Sequence, residues 1–234
     1  MSEKLSGFRM PGEWEKQKSV WIAWPYNKND WPGLYKFIPE VILEIIYKIS
    51  KHQKVNLIIN SKIENIKKIL KLSKIKNISF HRIKTDRIWL RDSGPIFLTN
   101  KKYKKKIILN FVFNGWAKYK NCKNDNKIND KLSKIVKLKK INPTIQKNGK
   151  SRKVIMEGGA FDVNGAGTIL LTEECLLSKI QERNKKFNKK DYEGIFNKYL
   201  NIKNFIWLKK GIIGDDTHGH VDDISRFVSR DTIM

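Results

Sequence analysis

Apolar residues along the chain come in short runs, separated by longer stretches in which they recur every three or four positions, so strand and helix periodicities alternate. The first third reads as strand Ser19–Trp24, helix Leu34–Lys51, strand Lys54–Ile59, a second helix Ser61–Leu72 and strand Ile78–Ile83. After a polar stretch that holds Trp89–Pro95, strands Ile96–Thr99 and Lys106–Phe113 flank an Asn100–Lys105 turn whose lysines solvate it. Lys127–Leu138 reads as a helix, Val154–Met156 and Phe161–Asn164 as strands, and Gly165-Ala166-Gly167 as a turn into strand Thr168–Leu171. Helix Lys189–Leu200 and strand Asn204–Leu208 follow, and Arg226–Met234 reads as a strand running off the end.

This alternation predicts an α/β architecture in units of roughly 60 to 75 residues, about three in all, without residue-level self-similarity. No linker or low-complexity tract divides the 234 residues, so one domain is expected. Hydrophobic residues at 40% and 11% aromatics supply enough apolar surface to fold. No apolar run approaches the ~18 residues of a membrane span, and no apolar segment follows a basic start, so a cytoplasmic chain is expected.

Cys122 and Cys175 are the only cysteines, which excludes a disulfide framework and a C-x-x-C pair. The 49 Lys and Arg against 23 Asp and Glu leave a formal charge of +26, which by itself suggests a polyanion partner. The excess is mainly Lys, spread along the chain among Ile and Asn. It resembles codon drift more than the localised basic stripe of a nucleic-acid reader.

Four segments place polar groups where a core wants none. Met10-Pro11-Gly12-Glu13-Trp14-Glu15, Trp21, Trp24-Pro25, Asp30 and Trp31 bring four tryptophans together, either as a flat ligand pocket or as packing. In Trp89-Leu90-Arg91-Asp92-Ser93-Gly94-Pro95, Asp92 is either an ion pair with Arg91 or a ligand carboxylate. In Met156-Glu157-Gly158-Gly159 a carboxylate at a strand end meets two glycines that admit close backbone approach. Gly214–Asp223 packs two of the chain's four His and four Asp into ten residues.

If Gly219–Asp222 is extended, His220 and Asp222 share a face, the imidazole moving protons beside a carboxylate. The His-x-His-x-Asp string also suits a metal. The metallo-β-lactamase type of pattern, however, ends in His rather than Asp223 and needs further His downstream. Taken jointly, Asp92, Glu157 and Asp222 are three carboxylates whose burial is costly without a cation, and a guanidinium matches them in charge and paired N–H donors.

With Phe113-Asn114-Gly115-Trp116 and Leu171-Thr172-Glu173-Glu174-Cys175-Leu176-Leu177 added, these motifs stand in order from about Met10 to Val228. The chain thereby resembles the agmatine deiminase family, which includes the bacterial peptidyl-arginine deiminase-like proteins. The resemblance implies a pentein-type guanidine-modifying fold, an α/β propeller of five ββαβ units, here a partial catalytic domain with about three units. It implies that Asp92 and Asp222 clamp the guanidinium, that Glu157 holds substrate and histidine, and that His220 is the general acid and base. It adds Trp89, Trp24 and Asp30 to the substrate pocket, with no cofactor and no metal. The implied reaction, in putrescine and polyamine biosynthesis, hydrolyses agmatine to N-carbamoylputrescine and ammonia through cysteine attack on the guanidinium carbon.

In that family the nucleophile stands in a Gly-Gly-Asn-Ile-His-Cys context well beyond the position of Met234. Cys175 matches a position outside the catalytic set and has two adjacent carboxylates that raise its pKa, and Cys122 has no visible base. The sequence therefore predicts a truncated chain that binds a guanidine but needs a downstream-encoded C-terminal chain for turnover. Peptidyl or free arginine as substrate, a non-catalytic basic fragment binding nucleic acid, and a fragment that does not fold stably stay open as alternatives.

Overall fold

The computed structural model describes residues 5, 7–60, 66, 67, 70 and 75–234. They group into two compact units, Lys16–Leu90 with Cys122–Ile128, and Met1–Glu15 with Arg91–Asn121 and Asn129–Met234.

In the unit containing Lys16–Leu90, strands β1 (Ser19–Ala23), β2 (Lys54–Ile59) and β3 (Ile78–Arg82) form a parallel sheet in that order, with Val55 opposite both Val20 and Ile78. Every residue of β2 after Lys54 is buried, as a central parallel strand covered on both faces requires. The crossover from β1 to β2 carries helix Ile38–Ser50, which starts later than the predicted Leu34. Pro39 explains the delay: it lacks an N–H and is tolerated only in a first turn, so Tyr35–Phe37 closes as a separate 3₁₀ turn. Ile42, Leu43, Ile46 and Ile49 then pack with Val55, Leu57, Ile59 and Trp24. The predicted helix Ser61–Leu72 lies outside the described residues, except for Ile66, Lys67 and Leu70.

In the other unit, β4 (Ile96–Asn100) and β5 (Lys105–Leu109) form an antiparallel hairpin, and β6 (Lys139–Ile141) joins β5 in parallel after helix Ile128–Ile135. β7 (Thr144–Lys147) and β8 (Lys150–Lys153) make a two-stranded hairpin. β9 (Phe161–Val163) pairs antiparallel with β10 (Thr168–Thr172), and β11 (Asn204–Leu208) lies parallel on its other side. Helix Lys189–Leu200 supplies that crossover. Its start is locked by a capping box between Asn188 and Asp191, and its end by Asn201 in the left-handed region. Tyr192, Ile195, Phe196, Tyr199 and Leu200 form its buried stripe against Phe161, Ile169 and Leu171.

Three predicted strands differ. Lys106–Phe113 ends at Leu109, because β6 offers only three pairing residues, and the chain continues through a bridge between Val112 and Ile155. That bridge is all that remains of strand Val154–Met156. Arg226–Met234 folds back on itself: Arg226 and Met234 exchange backbone hydrogen bonds and Phe227 bridges Ile233, which buries Phe227 against Leu170 and Val221. Among the described residues no helix is long and apolar enough to cross a membrane.

Candidate active site

Three segments bearing carboxylates and an imidazole, far apart in sequence, converge within the unit that holds β4 to β11. Asp92 sits in the short helix Leu90–Ser93 just before β4. Glu157 precedes the 3₁₀ turn Gly158–Ala160 that leads into β9. His220 and Asp222 follow β11 through a loop and enter the 3₁₀ turn Val221–Asp223.

The loop before His220 is built on Asp215. Its carboxylate accepts hydrogen bonds from Thr217 N (2.8 Å), Thr217 Oγ1 (2.6 Å), Gly219 N (2.7 Å) and His220 N (3.0 Å). Those donors hold the Asp215 carboxyl below its usual range although burial pushes it up. Gly219 runs at φ +92, and its carbonyl accepts a hydrogen bond from the Thr172 hydroxyl at the end of β10. The segment is therefore a tied loop entering a 3₁₀ turn, so the condition of an extended Gly219–Asp222 is not met. His220 and Asp222 still meet, because the turn brings their side chains to 3.8 Å.

His220 is 2% exposed and lies between three carboxylates. Its Nδ1 is 3.7 Å from Asp92 Oδ1 and 3.8 Å from Asp222 Oδ1, and its Nε2 is 3.8 Å from Glu157 Oε2. Burial lowers the imidazole pKa, but Glu157, Asp92 and Asp222 outweigh it and hold the value above normal. Asp92 is kept in place by Trp116 Nε1 (3.0 Å) and Gly159 N (3.0 Å), and burial raises its pKa. Asp92 is not paired with Arg91: Arg91 instead contacts Glu13 and reaches Asp222 at 3.8 Å. Burial pushes the Asp222 carboxyl up to about 6, while His220 and Arg91 pull it down and Asp92 adds to the rise. Gly159 admits this arrangement, since a Cβ there would fall against His220 Nδ1 and within 2.8 Å of Asp92 Oδ1 and 2.9 Å of Asp222 Oδ1.

Glu157 is fully buried, and its Oε1 accepts from Arg183 Nε at 3.2 Å. Burial raises the Glu157 pKa, yet His220 and the Arg183 charge together hold it below the usual range. The Cys175 thiol, Glu157 and His220 offer ligand atoms within 4.8 Å of one another, a donor set with the chemistry of a soft divalent cation. The fixed positive charge of Arg183 on Glu157 opposes a second cation there. Burial drives the Cys175 pKa up, with Glu157, Asp92 and Asp215 contributing. The neighbouring Glu173 and Glu174, which the sequence pointed to for this rise, are not among its leading causes.

Trp24, Asp30 and Trp89 belong to the other unit. Trp24 packs in its core, which fits the packing alternative for the tryptophans. The Asp30 side chain is 1% exposed and pairs with Arg87, and Trp89, 42% exposed, lies 5.8 Å from the Trp31 ring. Arg183, Asp215 and Gly159 were not singled out individually from the sequence. Gly159 and Asp215 stood inside recognised motifs, whereas Arg183 lies in the polar stretch Gln181-Glu182-Arg183-Asn184-Lys185 and carried no local signal.

The chain thus sets a buried imidazole among three carboxylates on a mixed α/β scaffold of several small sheets. Residues 9–234 match the Porphyromonas-type peptidyl-arginine deiminase family, and the chain belongs to that family. Curated relatives named "Putative agmatine deiminase" are 32% identical in Latilactobacillus sakei, over 97% of this chain, and 33% identical in Streptococcus mutans, over 96%. The chain spans 60% of the length of each of these relatives. The agmatine deiminase of Enterococcus faecalis superposes with a TM-score of 0.85 at 29% identity, covering 98% of this chain and 60% of that one. A Cys-to-Ser variant of C. jejuni agmatine deiminase with substrate bound gives 0.82 at 32%, covering 97% and 63%.

Proposed function

We propose that the cluster of Asp92, Glu157, His220 and Asp222 binds the guanidinium of agmatine for hydrolysis to N-carbamoylputrescine and ammonia, a step toward putrescine. The observation that carries this reading is the convergence of Asp92 and Asp222 on one side of His220 and Glu157 on the other, each within 3.8 Å. A planar cation with paired N–H donors satisfies carboxylates arranged in this way and offsets the cost of burying them. Agmatine deiminases among the structural neighbours, one with substrate bound, support the same choice.

In this mechanism Asp92 and Asp222 accept hydrogen bonds from the guanidinium and hold its carbon for attack by a thiolate. His220 protonates the departing ammonia, then takes a proton from the water that cleaves the thiouronium intermediate. Cys175 does not serve as the nucleophile, since its thiol is buried and its pKa raised, and the Cys122 thiol, in the other unit, is raised by burial as well. The reading therefore needs a thiolate other than those of Cys122 and Cys175, on the five-unit propeller proposed for the fold.

The test is calorimetric titration of the chain with agmatine, free arginine and an arginine-containing peptide. The reading requires saturable binding of agmatine that Asp92→Asn and Asp222→Asn each weaken at least about tenfold, a loss of ~1.4 kcal/mol. Unchanged affinity in both variants rejects it, and preference for the peptide transfers the reading to peptidyl-arginine.

A further inference from the structure

Arg183 is a charged group that touches the cluster at Glu157 without belonging to the mechanism above. Its side chain is 0% exposed, as is that of Glu157. The guanidinium donates in three directions: Nε to Glu157 Oε1 at 3.2 Å, Nη1 to the Gln181 carbonyl at 3.0 Å, and Nη2 to the Thr217 carbonyl. Thr217 lies three residues before His220, in the loop organised by Asp215. One planar fork thus joins the carboxylate to the segment that carries the imidazole. Glu157 Oε2, by contrast, makes no hydrogen bond among the described residues and is 3.8 Å from His220 Nε2, whose own hydrogen-bonding capacity is likewise unused.

We propose that Arg183 is a positioning residue: by occupying Oε1 and anchoring Thr217, it leaves Oε2 of Glu157 as the atom presented to His220 Nε2 and fixes the spacing between them. A lysine cannot reproduce this, because its ammonium is a point charge without the rigid fork that meets three acceptors in a plane. The groups facing Glu157 are Arg183, His220 and the Cys175 thiol, with Asp92 and Tyr192 acting at longer range. Of the cationic partners among them, Arg183 alone stays charged at every working pH.

The role rests on the function proposed for Glu157 and His220, but its test needs no agmatine. Carboxyl-carbon NMR follows the titration of Glu157, assigned by its loss in Glu157→Gln, in the native chain and in Arg183→Met and Arg183→Lys. The expected result is that Arg183→Met raises the Glu157 midpoint by about one unit or more, a tenfold gain in proton affinity. Arg183→Lys restores the midpoint in part but weakens the step that the His220 ring resonances show when Glu157 titrates. A cooperative melt for Arg183→Met with an unmoved Glu157 midpoint assigns Arg183 to loop bracing alone and overturns the proposal. If that variant does not melt cooperatively, the native chain decides: the Arg183 Nε–H resonance must shift with the Glu157 titration, and an indifferent resonance overturns it too. Intact coupling with no agmatine binding rejects the guanidine reading only, and the reverse pattern rejects the Arg183 role only.

Discussion

Replacing Asp222 by Asn is predicted to stabilise the folded chain near pH 7 while removing guanidine binding. Burial and the Asp92 charge push the Asp222 carboxyl from 3.8 to about 6, against the pull of His220 and Arg91. A rise of roughly two units, at about 1.4 kcal/mol per unit, means that holding Asp222 ionised in the folded state costs up to about 3 kcal/mol near pH 7. The folded carboxyl binds its proton more tightly than the unfolded one, so stability falls as pH rises from the unfolded value through about 6, and the cost is complete above that. An amide of the same shape carries no such cost. Urea unfolding near pH 7 should therefore show Asp222→Asn more stable than the native chain by up to about 3 kcal/mol, shrinking below about 1 kcal/mol near pH 4. A stability difference that does not change with pH, or a variant destabilised near pH 7, refutes the reasoning. The same variant should lose agmatine binding in calorimetry, so that stability and function move in opposite directions, as expected where buried like charges await a cationic ligand.

Gly159→Ala should weaken agmatine affinity about tenfold or more (~1.4 kcal/mol) with a cooperative melt retained, since the added Cβ meets Asp92, Asp222 and His220 at once; undiminished affinity contradicts that packing. Gly194→Ala is the contrasting case: nothing lies within 4 Å of its Cβ in helix Lys189–Leu200, and a gain of about 0.5–1 kcal/mol in urea unfolding is expected. Trp116→Phe removes the indole donor to Asp92 and should cost about 1–3 kcal/mol while raising the Asp92 titration midpoint in carboxyl NMR; an unmoved midpoint argues against that bond. Asn188→Ala breaks a reciprocal cap and should lower stability by about 1 kcal/mol without changing agmatine affinity.

The elements legible in the sequence are those whose causes are local. Strand Lys54–Ile59, helix Lys189–Leu200 and strand Asn204–Leu208 occur with the predicted bounds, because an apolar run, a capping pair and an αL stop are written in neighbouring residues. The errors fall where a distant partner sets the outcome. β5 ends where β6 stops offering hydrogen bonds, and the segment before Glu157 keeps one bridge instead of a ladder.

The site divides along the same line. Asp92, Glu157, His220 and Asp222 were identifiable because charge among glycines is a poor choice for a core, and a residue type carries that message wherever it stands. That they surround a single imidazole within 3.8 Å depends on three separate backbone turns meeting, which no local pattern encodes. Arg183 illustrates the limit: in sequence it is one basic residue in a chain with 49 Lys and Arg, and only burial beside Glu157 distinguishes it from its neighbours. The sequence by itself determined which chemical groups this chain carries and where its self-sufficient elements lie. The tertiary structure decided which of those groups lose water and face one another, because desolvation and Coulomb energies depend on distances across the fold and not along the chain.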